Sequence, residues 1–228
     1  MTAYTTPVSS PLDPSIKLKA KEGAPLSDPT FYRLLVGELN FLTNTRLNIA
    51  YGVQHLSQYM EDPREPHLQA AYHMLRYLLK DPTLGIFMSS DANFSVQAYC
   101  DSDWAACADS RKSVSGYIIL LGDNLISWKS KKQETISLSL AEVEYISIRK
   151  STLHIARNPV FHEWTKHIEV DCHFVRSKLQ EGLISLHHIR TGDQLADILT
   201  KSLTGIKHAT ILGKLAVLPS HPTVAVSY

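Results

Sequence analysis

From Pro29 onward the apolar residues fall into recognisable periods. Phe31, Leu35, Leu39 and Leu42 recur at helical spacing behind an Asp28-Pro29 start that suits an N-cap and first helical position. Ile49, Val53, Leu56 and Met60 form a second stripe ended by Asp62-Pro63, and Leu68, Ala71, Tyr72, Leu75 and Leu79 a third closed by Asp81-Pro82. Three short helices with polar links cannot bury these stripes alone, so they are expected to dock on other elements. After Gly85 the period drops towards two. Ile86-Phe87-Met88, Val96 to Cys100, Ser115 to Leu121 and Leu125 to Trp128 read as strands, with a hairpin turn at Gly122-Asp123-Asn124. Ser139-Leu140-Ala141-Glu142 has the spacing of a capping box, which starts a helix at Ser139. Leu153 to Ala156 is helical in composition and Asn158-Pro159 stops it. His167 to Leu179 carries a further helical stripe, Leu183 to Ile189 a strand, and a last helix opens near Asp193. The first thirty residues read as a mobile lead-in and the tail from Leu218 as frayed. Strands followed by helices predict an α/β fold with a mixed sheet.

Composition narrows the class. Of the 228 residues 44% are hydrophobic and 20% charged, enough for a packed core in one domain or one domain plus a helical fragment. No apolar run is long enough for a membrane span, and the N-terminus lacks the cationic start and apolar stretch of a secretory signal. Cys100, Cys107 and Cys172 are odd in number and scattered, which argues against a disulfide framework and for a reducing compartment. An intracellular location, cytoplasmic or nuclear and not secreted, is expected. The net charge is only +1, so nucleic-acid binding would need a local basic patch. Arg111, Lys112, Lys129, Lys131 and Lys132 form such a concentration. They fit either a phosphate-tracking surface or a lysine-protected strand edge.

The candidate chemistry lies in acids at element ends. Asp101 and Asp103 follow the strand Val96 to Cys100, Glu142 and Glu144 fall in a helix's first turn, and Asp193 and Asp197 flank another helix start. Converging carboxylates repel, by roughly 4 kcal/mol for a pair at about 4 Å in a moderate dielectric. A hard cation such as Mg²⁺ offsets that repulsion, and paired ions of this kind hydrolyse phosphodiesters. Sequence does not show convergence, and single surface acids are usually solvated or act as caps. Zinc readings fare worse. His162 and His167 are five apart and not four, and Cys172-His173 lacks a Cys-x-x-Cys partner. Phosphate-loop and nucleophile-elbow motifs are missing.

Asp28-Pro29-Thr30-x-Tyr32-Arg33-x-Leu35-Val36-Gly37, then Leu42-Thr43-x-Thr45-Arg46 and Ile49-Ala50-Tyr51, resemble the segment closing the reverse transcriptase of copia-type retrotransposon Pol polyproteins. Tyr99-Cys100-Asp101-Ser102-Asp103-Trp104-Ala105, Ser113-x-Ser115-Gly116-Tyr117 and Ile126-Ser127-Trp128-x-Ser130-Lys131-Lys132-Gln133 resemble the start of the attached ribonuclease H domain. Ala141-Glu142-Val143-Glu144-Tyr145, Thr165-Lys166-His167-Ile168-Glu169 and the run Gln194 to Lys201 continue it in family order.

The resemblance implies a ribonuclease H-like mixed sheet with flanking helices, preceded by a small helical segment. It also implies hydrolysis of the RNA strand of an RNA·DNA hybrid by two Mg²⁺ ions on four carboxylates, with the polyprotein's reverse transcriptase as partner. By position Asp101, Glu144 and Asp197 match three of those acids. Asp103 is the poorer match to the first, Glu142 is engaged as the partner of the Ser139 cap, and Asp193 reads as a helix-start residue. His188 is placed near Asp197 as a candidate aid to product release. The fourth acid has no counterpart. Lys150-Ser151-Thr152-Leu153 matches the helix that follows it, but Ile148 stands where the aspartate belongs. Only eight residues separate Glu144 from Leu153, too few for a helix body, a turn and a strand. The fourth strand is therefore expected to be missing, the two helices to run on as one, and hydrolysis to be impaired. The competing reading is a non-catalytic nucleic-acid-binding or interaction remnant. The implied organisation is a lead-in at 1–28, a reverse-transcriptase-like helical segment at 29–82, a ribonuclease H-like domain at 83–204 with a deletion between about 145 and 150, and an extension at 205–228.

Overall fold

The computed structural model describes residues 8–90, 94–137, 139–156 and 175–219. Helix α1 (Thr30–Leu42) starts behind Pro29, where Asp28 Oδ1 accepts the Thr30 N–H at 2.9 Å. A 3₁₀ turn (Leu47–Ile49) leads into α2 (Ala50–Leu56), and a second turn (Ser57–Tyr59) precedes α3 (Glu65–Lys80). Helix α3 is started by its own side chain: His67 Nδ1 accepts the Arg64 N–H at 2.9 Å. The stripe that seats α1 is Tyr32, Leu35, Val36 and Leu39, rotated from the predicted one, so Phe31 and Leu42 face outward. Leu79 is likewise exposed.

The lead-in is not loose from residue 8 onward. Leu12 and Leu18 are buried in the core of α1, α2 and α3, and Tyr59 Oη donates to the Leu18 carbonyl at 2.9 Å. Pro25 forms a bridge with Arg64. This segment supplies the cover that three short amphipathic helices lack.

Strands β2 (Val96–Asp103), β3 (Val114–Leu121) and β4 (Asn124–Lys132) form one antiparallel sheet in the order β2-β3-β4. The β3–β4 hairpin turns at Gly122-Asp123, where glycine takes a φ of 58° that a side chain would oppose. Strand β1 (Leu84–Ile86) pairs antiparallel with β5 (Val217–Pro219), so the residues expected to fray after Val217 close a ribbon instead. Among the described residues both sheets are antiparallel, not mixed as predicted, and no fourth strand lies beside β2. Residues 183–189, read as a strand, are irregular and mostly exposed.

Helix α4 (Leu140–Ala156) runs unbroken for 17 residues past Ile148, as the short interval after Glu144 required. Ser139 Oγ accepts the Glu142 N–H at 3.2 Å at its start. The helix expected near Asp193 is a 3₁₀ segment (Leu195–Leu199), followed by α5 (Gly205–Lys214). Ile118, Leu120, Leu195, Ile198, Leu199 and Ile211 form a second core, which Leu47 and Ala50 join from the helical layer. Overall the chain is a mixed α/β structure of helices and antiparallel sheets. The helix expected from His167 is described only at 175–180; His162, His167, Cys172 and His173 lie outside the described residues.

Candidate functional site

Alternation along β2 decides which face each residue serves. Cys100 Sγ lies 2.9 Å from Ser151 Oγ and Ser102 Oγ donates to the Val143 carbonyl at 3.1 Å, so these side chains meet α4. Ser147 Oγ lies 3.1 Å from the carbonyls of Asp101 and Gly116, fixing α4 across the strand pair. Asp101 and Asp103 therefore turn to the other face. There the 3₁₀ segment is fastened by Gln194 Nε2 to the Cys100 carbonyl at 2.9 Å and by Ser130 Oγ to the Leu199 carbonyl at 2.6 Å. Gly116, opposite Asp101 in register, makes this approach possible. A Cβ there would sit 2.7 Å from Leu199 Cβ and 3.0 Å from Thr200 Cγ2.

This packing brings Asp101 and Asp197 to one cation. Lys201 Nζ lies 3.1 Å from Asp101 Oδ2 and 2.8 Å from Asp197 Oδ1. Lys207 Nζ donates to Asp197 Oδ2, and Thr200 Oγ1 to Asp101 Oδ2. Asp197 is 1% exposed and both its oxygens are bound by ammonium groups. Burial pushes its acid upward, but the two lysine hydrogen bonds prevail and hold it below the usual carboxylate range. Asp103 moves the other way: burial raises it, Lys201 opposes that, and the charges of Asp101 and Asp197 add to the rise. Lys201 is raised because its carboxylate partners outweigh its burial.

Glu144 does not join them. It is exposed on α4, the helix packed against the opposite sheet face, and Ile148 follows it one turn on. Asp193 pairs with Lys214 at 2.7 Å at the surface, and His188 is exposed in the irregular 183–189 stretch. Among the described residues no group of three His, Cys, Asp or Glu side chains is placed to hold a metal ion. Here Lys201 and Lys207 hold both Asp197 oxygens, and Lys201 also holds Asp101 Oδ2.

The basic residues split. Arg111 is exposed in the β2–β3 loop at a φ of 55° and Lys112 follows it half-buried. Lys129 is exposed, and Lys131 faces Glu134 at 3.2 Å. Lys132 is half-buried, donating to Gln58 Oε1 at 2.6 Å and to Cys107 Sγ at 3.0 Å. Burial raises the Cys107 thiol, but Lys132 and neighbouring donors bring it below its ordinary value. Sequence reasoning gave Lys201 and Lys207 no role. The first was legible, since Asp197 and Lys201 are spaced i,i+4; the second comes from beyond a turn and carried no local signal.

Taken together, fold and site define an α/β chain in which Lys201 joins Asp101 of β2 to Asp197 of the 3₁₀ segment and Lys207 holds the other Asp197 oxygen. The chain is 38% identical over 247 aligned residues, 95% of its length, to the retrovirus-related Pol polyprotein from transposon RE1 of Arabidopsis thaliana. It is 37% identical over the same share to that from transposon RE2 of the same plant. It also matches an uncharacterized mitochondrial protein of Arabidopsis thaliana at 39% over 140 residues, 61% of this chain and 58% of that protein. No family model and no solved structure matches the chain. The chain belongs to the copia-type retrovirus-related Pol polyproteins of transposons and spans 17% of the length of the RE1 and RE2 relatives. Among the described residues no helix is long and apolar enough to cross a membrane.

Proposed function

We propose that the chain is the end of a reverse transcriptase joined to a ribonuclease H-like segment, that it binds RNA·DNA hybrid, and that hydrolysis of the RNA strand is impaired. The observation that carries the impairment is the occupation of both Asp197 oxygens by Lys201 and Lys207, with Glu144 on the helix across the sheet. Ile148, where the resemblance calls for an acid, supports it. Hybrid recognition would rest on backbone phosphates and 2′-hydroxyls, contacts for which Arg111 and Lys112 on the exposed loop are suited.

The test offers a labelled RNA·DNA hybrid to the wild type and to Asp101→Asn with Mg²⁺ present, and follows cleavage and binding at two salt concentrations. Binding that weakens with salt and with Arg111→Ala/Lys112→Ala, without cleavage, is the expected result. Cleavage abolished by Asp101→Asn would refute the impairment and restore the catalytic reading. Absence of binding at low salt would refute the nucleic-acid reading itself.

A further inference from the structure

Cys107 turns in from the β2–β3 loop and ends against Lys132, the last residue of β4. It is 4% exposed, and its Sγ lies 3.0 Å from Lys132 Nζ. The loop is fixed around this contact. The Cys107 N–H donates to the Lys112 carbonyl at 3.1 Å, and the Arg111 N–H returns to the Cys107 carbonyl at 2.9 Å. The Ala105 N–H donates to Ser113 Oγ at 3.1 Å and Trp104 Nε1 to the Ser137 carbonyl at 3.1 Å, which ties the loop's first residues down. Lys132 is held from its own side by the pairing of β4 with Val114 of β3. Gln58 Oε1 lies 2.6 Å from Lys132 Nζ and 3.6 Å from Cys107 Sγ, so one acceptor keeps amine and sulfur together.

The sulfur is surrounded by donors. Besides Lys132, the backbone N–H groups of Asp109 and Ser110 hydrogen-bond to it. Donors of this kind favour the thiolate, the form that reacts with oxidants. Cys100 is its opposite: Sγ meets the Ser151 hydroxyl at 2.9 Å, and burial pushes that thiol up to about 11. Ala108 and Asp109, which follow Cys107, are exposed and Lys132 is half-buried, so the pair lies directly beneath the surface.

We propose that Cys107 and Lys132 form a redox modification site, in which hydrogen peroxide oxidises the thiolate and the lysine amine then captures the sulfur as a sulfenamide cross-link. In the first step the thiolate takes one peroxide oxygen, the O–O bond breaks, and the departing hydroxide removes a proton from the Lys132 ammonium. The products are a Cys107 sulfenic acid, a neutral Lys132 amine and water. In the second step Lys132 Nζ attacks Sγ and the S–O bond breaks. The hydroxide leaves with a proton from the nitrogen as a second water. Sulfur is oxidised by two electrons, peroxide is reduced by two, and the chain loses two hydrogens. A thiol reductant reverses the reaction by opening the S–N bond. The link joins positions 25 apart in the chain, across the β2–β3 loop and all of β3, and so restricts the unfolded chain as a disulfide does. It involves neither Asp101 nor Asp197 and does not depend on hybrid binding.

The test treats the whole folded chain with a small molar excess of hydrogen peroxide, quenches with catalase, and maps tryptic peptides by mass spectrometry with and without dithiothreitol. The peptide containing Cys107 is expected to be joined to the one containing Lys132, at a mass two hydrogens below their sum, with cleavage after Lys132 lost. Dithiothreitol should restore both peptides. The melting temperature of the oxidised chain should rise and fall back on reduction. In Lys132→Arg, which keeps the charge, dimedone should trap a Cys107 sulfenic acid about tenfold more than in the wild type. The wild-type map decides the matter even where that variant folds poorly. Sulfenic or sulfinic acid at Cys107 with cleavage after Lys132 intact would overturn the proposal. So would a Cys107 that stays reduced while Cys100 is oxidised, or a cross-link that dithiothreitol does not open.

Discussion

Replacing Lys201 by methionine is the sharpest probe of the acid–lysine cluster. It removes the cation that Asp101 and Asp197 share while keeping most of the side-chain volume. At separations of 3.1 and 2.8 Å, and an effective dielectric of about 20, the two attractions are about 5 and 6 kcal/mol gross. The lysine is 35% exposed, so solvent screening and its own desolvation reduce this to a net loss of about 2–4 kcal/mol. For a chain of this size that corresponds to a fall in Tm of about 4–16 °C. Thermal and urea unfolding followed by circular dichroism at pH 7 would measure it. The sign of the pH dependence follows from Asp197, whose folded-state pKa is depressed. Its contribution is present above the unfolded carboxylate value and is lost as pH falls through the lower folded one. The Lys201→Met penalty should therefore shrink towards pH 3. A change under about 0.5 kcal/mol at pH 7, the scale of an ordinary surface substitution, would refute the cluster as a stabilising unit. So would a penalty that persists unchanged in acid.

Gly116→Ala should cost about 1–3 kcal/mol by driving Leu199 and Thr200 off the sheet, whereas Gly213→Ala, in open space on α5, should be neutral or stabilising by up to about 1 kcal/mol; urea midpoints of the pair decide it. His208 is 3% exposed and burial depresses it to about 4, so it takes up its proton in the unfolded chain first. Stability is then complete above about pH 6.5 and falls by about 2 kcal/mol by pH 5 from this group alone. His208→Phe should flatten that slope, and an unchanged slope would count against the burial argument.

Much of the frame was legible from local pattern. The α1 start, the β3–β4 hairpin at Gly122 and the Ser139 cap each rest on residues a few positions apart, where sterics and hydrogen bonding act without tertiary help. The continuous α4 was readable because eight residues after Glu144 left no room for anything else. What failed depended on distant partners. Leu12 and Leu18 look like isolated apolar residues in a polar lead-in until three helices offer them a surface. Val217 to Pro219 become a strand only because Leu84 to Ile86 stand ready to pair. Residues 183–189 alternate like a strand, yet no neighbour among the described residues takes them up.

The candidate site divides in the same way. The family resemblance was legible in the sequence, and with it the expectation of acids at Asp101, Glu144 and Asp197 and of none at Ile148, because identity and order are properties of the chain itself. Only the tertiary structure decided that alternation along β2 turns Asp101 away from α4, and that glycine at 116 admits the segment carrying Asp197. It also decided that Lys201 and Lys207 close over those carboxylates. Charges meet or miss one another according to which face of a sheet each segment packs against, and that is settled by contacts between residues roughly a hundred positions apart.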